Sequence, residues 1–301
     1  MLVTSRAKMV FLYVMVAAVV AWSVFPIYTT VLISLMDTRE AVLTPTHWIP
    51  QQPTLDWYGR ILALVPDATT GKMLAYADAF KQGFVNSIAV ASVVTLLSVI
   101  VGSVAGYAFA RFSFRRKNAW LMSILLSRSL PAAAMAIPFF FMFHQAGLIG
   151  TYQGLIITYL SFEIPLATWI LMGYFANLPL ETERAGRIDG LGRLGVLFRV
   201  VIPEAIGGVA SVGILLFLIS WSEFFFAYIL TSGSAAQTVP PVVSQLTSIM
   251  TAMNPPQETA ACVVITLIPA LVLGAIFQKY ILRLKIVDPI VARAGEEIPF
   301  A

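Results

Sequence analysis

The 301-residue chain is 59% hydrophobic and 11% charged, with a formal net charge of +4 and a mean hydropathy of +0.86. A soluble domain is about 25% charged, so this composition excludes a soluble globular protein and describes an integral membrane protein. The single cysteine, Cys262, lies in an apolar run and the two histidines, His47 and His144, fall in expected loops, which argues against a disulfide framework and a resident metal centre.

A helix needs about 20 apolar residues to cross the hydrocarbon core. Six stretches qualify, 10–36, 84–110, 119–143, 152–176, 205–230 and 259–282, so the expectation is a single all-α polytopic domain over 1–301. The first stretch is too long for a secretory signal, lacks a small-residue cleavage site, and reads as a retained span. Pro26, Pro131, Pro138, Pro165 and Pro269 fall inside spans, which a packed bundle tolerates because neighbours satisfy the freed carbonyls.

Basic residues orient the chain. Arg6 and Lys8, the cluster from Arg111 to Lys117, the arginines from Arg184 to Arg199, and the group from Lys279 to Arg293 share one set of ends. Only Arg39, Arg60, Lys72 and Lys81 occupy the other. Both termini, the tail 283–301 and the loop 177–204 are therefore expected in the cytoplasm, with the loop 37–82 outside. The overall basicity follows from this rule and is no sign of nucleic-acid binding. The outer loop carries TPTHWIPQQPTLDWYGRIL, which reads either as a contact surface for an external partner or as a cap on the bundle.

One inner loop is unusual. LETERAGRIDGLGRLGVLFRVVIPEA, 180–205, balances Arg184, Arg187, Arg193 and Arg199 against Glu181, Glu183, Asp189 and Glu204. Acids at 181 and 183 complement a helix start, and Gly190 is placed for a left-handed helix end. Leu191, Leu194, Leu197, Phe198 and Val201 then recur at helical spacing as one apolar face, which Pro203 ends. A membrane-surface helix carries excess Lys and Arg. Neutral balance therefore favours a protein socket, with an ordinary packed connector as the alternative.

The string ERAGRIDG followed by VVIP resembles the cytoplasmic EAA loop of ABC-importer permeases, whose pattern is roughly E-A-A-x-x-D-G with I-x-L-P beyond. NSI (86–88), GYAFARF (106–112), LPAAAMAIPFF (130–140), GLIGT (147–151), ANLPLE (176–181) and WSEFFFA (221–227) follow in the order of the sugar-type branch, that of maltose and glycerol-3-phosphate permeases. The resemblance implies a six-span MetI-like fold and a coupling loop carried by Glu183, Arg184, Ala185, Gly186, Asp189, Gly190 and Pro203. Arg184 stands at the family's acid position with Glu183 one residue earlier, a rotation of about 100° on a helix. It also implies a dimer of ATP-binding subunits that holds ATP and Mg, a second permease subunit of a different chain, and an extracytoplasmic solute-binding protein. This chain itself would bind no cofactor and perform no catalysis. Its nearest string to a nucleotide loop, DATTGKML at 67–74, lacks the first glycine and the Ser/Thr after Lys72.

Ionisable residues inside spans point to a path. Arg128 lies about 14 Å into its span and Glu163 about 17 Å into the next, depths at which the two are expected to pair. Around Glu223, the residues Trp221, Phe224, Phe225 and Tyr228 are expected on one helical face, with Trp221 and Tyr228 suited to stack on a sugar while keeping a polar handle. A stand-alone ion-coupled carrier would also use Arg128 and Glu163 but would not need the loop. No Ser/His pair, His-rich helix or carboxylate dyad supports an intramembrane enzyme.

Overall fold

The computed structural model describes residues 6–41, 48–66, 76–249 and 255–281. His47, the string 67–74 and the tail 283–301 lie outside them. Every regular element among the described residues is helical: α1 (Arg6–Ser34), α2 (Thr38–Ala41), α3 (Asp56–Ile61), α4 (Ala77–Arg111), α5 (Lys117–Arg128), α6 (Ala132–Gln145), α7 (Tyr152–Ala176), α8 (Leu180–Ile188), α9 (Arg193–Val196), a π-helical turn (Leu197–Val201), α10 (Ile202–Glu204), α11 (Ile206–Ser222), α12 (Phe225–Thr231), α13 (Val239–Ile249) and α14 (Pro256–Ile281). Helices α1, α4, α7 and α14 contain segments long and apolar enough to cross a membrane. The number becomes six if each of two sharply bent pairs is one span.

The chain divides into two compact units, Met1–Lys81 with Val242–Ile268 and Gln82–Pro241 with Pro269–Ala301. In the first, the segment after α1 folds back on the helix end. The indole of Trp57, 4% exposed, donates to the Met36 carbonyl at 2.9 Å, and Tyr58 shares a hydrogen bond with Ser34. The Gln257 amide reaches the Asp37 carbonyl, and Tyr76 donates to Glu258. Burial and that carboxylate raise the Tyr76 pKa, so the hydroxyl remains the donor. This segment caps the helices of its own unit. The apolar surface of α1 is almost wholly uncovered by the chain.

The second unit packs around α7. Gly102 and Gly106, a G-x-x-x-G pair, let α4 approach it closely: a Cβ on Gly102 would sit 2.5 Å from the Ala167 Cβ, and one on Gly106 2.9 Å from the Met172 nitrogen. The same core gathers Tyr107, Leu171 and Phe175 with Val196, Leu197, Val201 and Val212.

Two stretches expected as continuous helices are broken. The stretch 119–143 turns by 89° between α5 and α6. Proline at 131 disfavours a helical residue before it, and Pro131 itself is extended (ψ 132). By contrast Pro26, Pro138, Pro165 and Pro269 remain within helices. The stretch 205–230 breaks at Glu223, where the backbone is extended (φ −69, ψ 122) without any glycine or proline. His144, expected in a loop, is in the last turn of α6 with its ring stacked on Phe140.

Candidate functional site

Helix α8 ends in a full left-handed cap. Gly190 has φ +87, its N–H donates to the Arg187 carbonyl, and the Leu191 N–H donates to the Gly186 carbonyl. Only glycine reaches this conformation without a Cβ penalty, so the turn expected at Gly190 is present.

The acid turned inward is Glu183. It is 7% exposed and accepts the Arg111 Nε at 2.6 Å and the Tyr107 hydroxyl at 3.0 Å. Arg111 also donates to the Leu178 carbonyl at 2.9 Å, so one guanidinium ties α8 and the turn before it to the end of α4. Arg184, Ala185, Asp189 and Gly190 are exposed, whereas Gly186 is buried with Val200 close to where its Cβ would be. The residues of the loop thus separate into an anchoring set and an outward set. Tyr107 and Arg111 went unassigned in the sequence, although their i, i+4 spacing places phenol and guanidinium on one helix face.

The single apolar face expected after Gly190 does not form. Val196, Leu197 and Val201 are fully buried, while Leu194 is 60% and Phe198 48% exposed. The buried side is centred on Val196 and Leu197, and a π-helical turn follows, in which the Ile202 N–H bonds to the Leu197 carbonyl, five residues back. Its extra residue shifts the face of the helix. Pro203 has no N–H to donate, and the wider turn accommodates it. The helix therefore continues through Pro203 to Glu204 and bends by 86° only before α11.

Arg128 and Glu163 do not form the expected pair. Arg128 Nη1 and Glu163 Oε2 are both buried without a hydrogen-bond partner. The break after α5 puts Arg128 in the last helical turn, where its cation faces the negative helix end. Glu163 instead accepts from Ser220 of α11.

The aromatic face around Glu223 is also rearranged. The break separates Trp221 from Phe225 and Tyr228. Trp221 is 6% exposed, edge-on to Phe84 and stacked on Phe217, so it is packing. Phe224 and Tyr228 remain exposed as a ring pair 5.4 Å apart. Glu223 caps α12, accepting the N–H groups of Phe226 (2.9 Å) and Ala227 (3.0 Å) and the hydroxyl of Tyr159 at 2.7 Å. Tyr159 and Glu163, four residues apart on α7, thus hold Glu223 and Ser220 respectively.

At the other end of α4, Asn86 donates to the carbonyls of Ala235 and Gln237, both at 2.8 Å, and accepts from Tyr152. Ser87 accepts the Val239 N–H. The NSI string is a clamp on the segment between α12 and α13.

A family model for the binding-protein-dependent transport system inner membrane component matches residues 98–286. The trehalose transport system permease protein SugB of Mycobacterium tuberculosis is 29% identical over 263 residues, covering 87% of this chain and 90% of that protein. The sulfoquinovosyl glycerol transport system permease protein SmoH of Agrobacterium fabrum is 32% identical, covering 85% and 84%. The trehalose/maltose transport system permease protein MalG of Thermococcus litoralis is 29% identical, covering 85% and 87%. A crystal structure of a bacterial ABC transporter involved in the import of the acidic polysaccharide alginate superposes with a TM-score of 0.71 at 21% identity, over 92% of this chain and 98% of that one.

Proposed function

The chain belongs to the family of inner membrane components of binding-protein-dependent transport systems, and from that premise we propose that it is a permease subunit of an ATP-driven ABC importer for a carbohydrate or similar polar solute. Relatives named for trehalose, sulfoquinovosyl glycerol and trehalose/maltose transport support the solute class. On this reading the chain lies in the bacterial inner membrane with both termini in the cytoplasm. It assembles with a second permease subunit, an extracytoplasmic solute-binding protein and two ATP-binding subunits, which hold and hydrolyse ATP with Mg.

The observation that carries the coupling role is the clasp of Glu183 by Arg111 and Tyr107. A push on α8 from a cytoplasmic subunit reaches α4 through a buried charged contact rather than through a loose loop. The outward residues Ala185, Ile188 and Asp189 form the surface offered to that subunit, and Gly190 sets the turn. On this reading the family's acid contact is redirected inward, because Glu183 is one residue out of register. Arg128, Glu163, Glu223 and Tyr228 line or brace the path, with Trp221 assigned to packing.

The test uses the tagged chain purified from its own membranes in mild detergent. An ATPase should copurify with the wild type. Ile188 is 87% exposed, so Ile188→Asp should release the ATPase while the permease keeps its yield and helicity. A chain that purifies free of ATPase while still catalysing uptake in vesicles would overturn the proposal in favour of an ion-coupled carrier.

A further inference from the structure

The charged loop is neutral in sequence, but the fold sorts its charges. A cleft of about 400 Å³ is lined by Arg111, Arg184, Arg187 and Arg193, with Tyr107 at its wall and Glu183 as its one carboxylate. Glu183 is committed to Arg111. The remaining acids of the segment, Glu181, Asp189 and Glu204, are exposed and do not line the cleft; Glu204 accepts from Thr182. Among the described residues no carboxylate pairs with Arg184, Arg187 or Arg193. Arg193 is held in place by stacking over the Phe112 ring at 4.5 Å, which fixes its fork at one wall. Three guanidinium charges therefore face one concavity without counter-charge.

A second cleft, about 550 Å³, shares the wall formed by Arg111, Phe112 and Ser113 and adds Arg116 and Lys117. Arg111 is the last residue of α4, a helix apolar enough to cross a membrane. Both clefts consequently open where a membrane span ends. Phe114, which lines the second cleft, is 41% exposed and Trp120, next in sequence to its last lining residue, is 61% exposed; exposed tryptophans sit at the headgroup level of a bilayer.

We infer that the arginine-lined cleft is a binding site for the phosphate group of an anionic phospholipid of the inner leaflet. Guanidinium forks match phosphate oxygens bidentately, and basic pockets at the cytoplasmic ends of spans take anionic headgroups. A free phosphate ester offers the same oxygens, but it would have no use for apolar rings beside the site. The headgroup would sit against the flank of α8 that carries Arg184 and Arg187, next to the Glu183 clasp, so lipid charge would bear on the element that the proposed function assigns to coupling. The inference itself needs only a membrane chain, and its lipid-retention readout does not depend on an ATPase, so it can fail while the importer reading stands.

The experiment is native mass spectrometry of the purified full-length chain, titrated separately with phosphatidylglycerol and phosphatidylcholine, and with glycerol 3-phosphate and inorganic phosphate as soluble probes. Phosphatidylglycerol should be retained in preference to phosphatidylcholine. Each basic residue contacting an anionic headgroup contributes about fivefold, so Arg184→Gln with Arg187→Gln should weaken retention about 25-fold. The matched control, Arg115→Gln with Arg199→Gln, removes the same charge from exposed positions outside both clefts and should leave retention unchanged. Arg184→Lys with Arg187→Lys should keep part of the binding, separating lost recognition from lost folding. Equal losses in the Gln pair and the control would reduce the effect to surface charge and overturn the site. Binding of glycerol 3-phosphate or phosphate without a preference for phosphatidylglycerol would reassign the site to a soluble ester and overturn the lipid assignment. If the Gln pair instead releases the copurifying ATPase and leaves lipid retention intact, the cleft is a protein socket and the inference fails.

Discussion

Removing either partner of the Arg111–Glu183 pair should destabilise the chain far more than removing both. The two side chains are 10% and 9% exposed and meet at 2.6 Å. Arg111→Leu leaves Glu183 a buried carboxylate with only the Tyr107 hydroxyl as donor. Glu183→Leu leaves a guanidinium with the Leu178 carbonyl alone and strands the Tyr107 hydroxyl. An uncompensated buried charge costs about 3–5 kcal/mol, and that is the expected loss in each single variant. The double variant Arg111→Leu/Glu183→Leu removes both charges, and apolar replacement of a buried pair is often close to neutral. What remains is the orphaned Tyr107 hydroxyl, at about 1–3 kcal/mol, which Tyr107→Phe should relieve. The assay is SDS-driven unfolding of the purified chain in micelles, followed by helicity, for the two singles, the double and the triple. The reasoning is refuted if the double equals the sum of the singles to within about 0.5 kcal/mol, the spread expected of independent sites.

Three further outcomes follow from the packing. Gly102→Ala should lower folded yield sharply, because its Cβ would fall 2.5 Å from Ala167, whereas Gly274→Ala, with nothing within 4 Å, should be neutral or stabilising; equal yields would refute the close α4–α7 approach. Asn86→Leu should expose the segment between α12 and α13 to protease by removing its hydrogen bonds to the Ala235 and Gln237 carbonyls, each worth about 1 kcal/mol; unchanged cleavage rates would show that the clamp is not what orders it. Glu223→Ala should cost about 0.5–2 kcal/mol as a lost cap and speed hydrogen exchange at Phe226 and Ala227, and unaltered exchange there would argue that the break persists without its carboxylate.

Composition alone determined the membrane class, since 11% charge cannot clothe a soluble surface. Apolar run length located the helices with little ambiguity where no break intervenes: the stretch 152–176 is α7. The left-handed turn at Gly190 was legible because it depends on one residue's backbone freedom. The Arg111–Glu183 contact was not, because a one-residue choice between Glu183 and Arg184 is a rotation of about 100°, and only the surface α8 packs against selects which side chain faces in. The break at Glu223 has the same origin. No glycine or proline announces it, and it is held by a carboxylate capping the next helix and by Tyr159, 64 residues away. Among the prolines, each disfavours the helix locally, yet Pro131 stands at a right-angled break and Pro165 does not. The neighbours of α6 distinguish them: Phe139 packs with Phe162 of α7 and Phe226 of α12, a contact that holds α6 across the break. The neutral charge of the loop was a correct sum that hid a separation. Sequence lists the charges, but the fold decides which of them share a cleft, because summed charge carries no direction and a packed helix does.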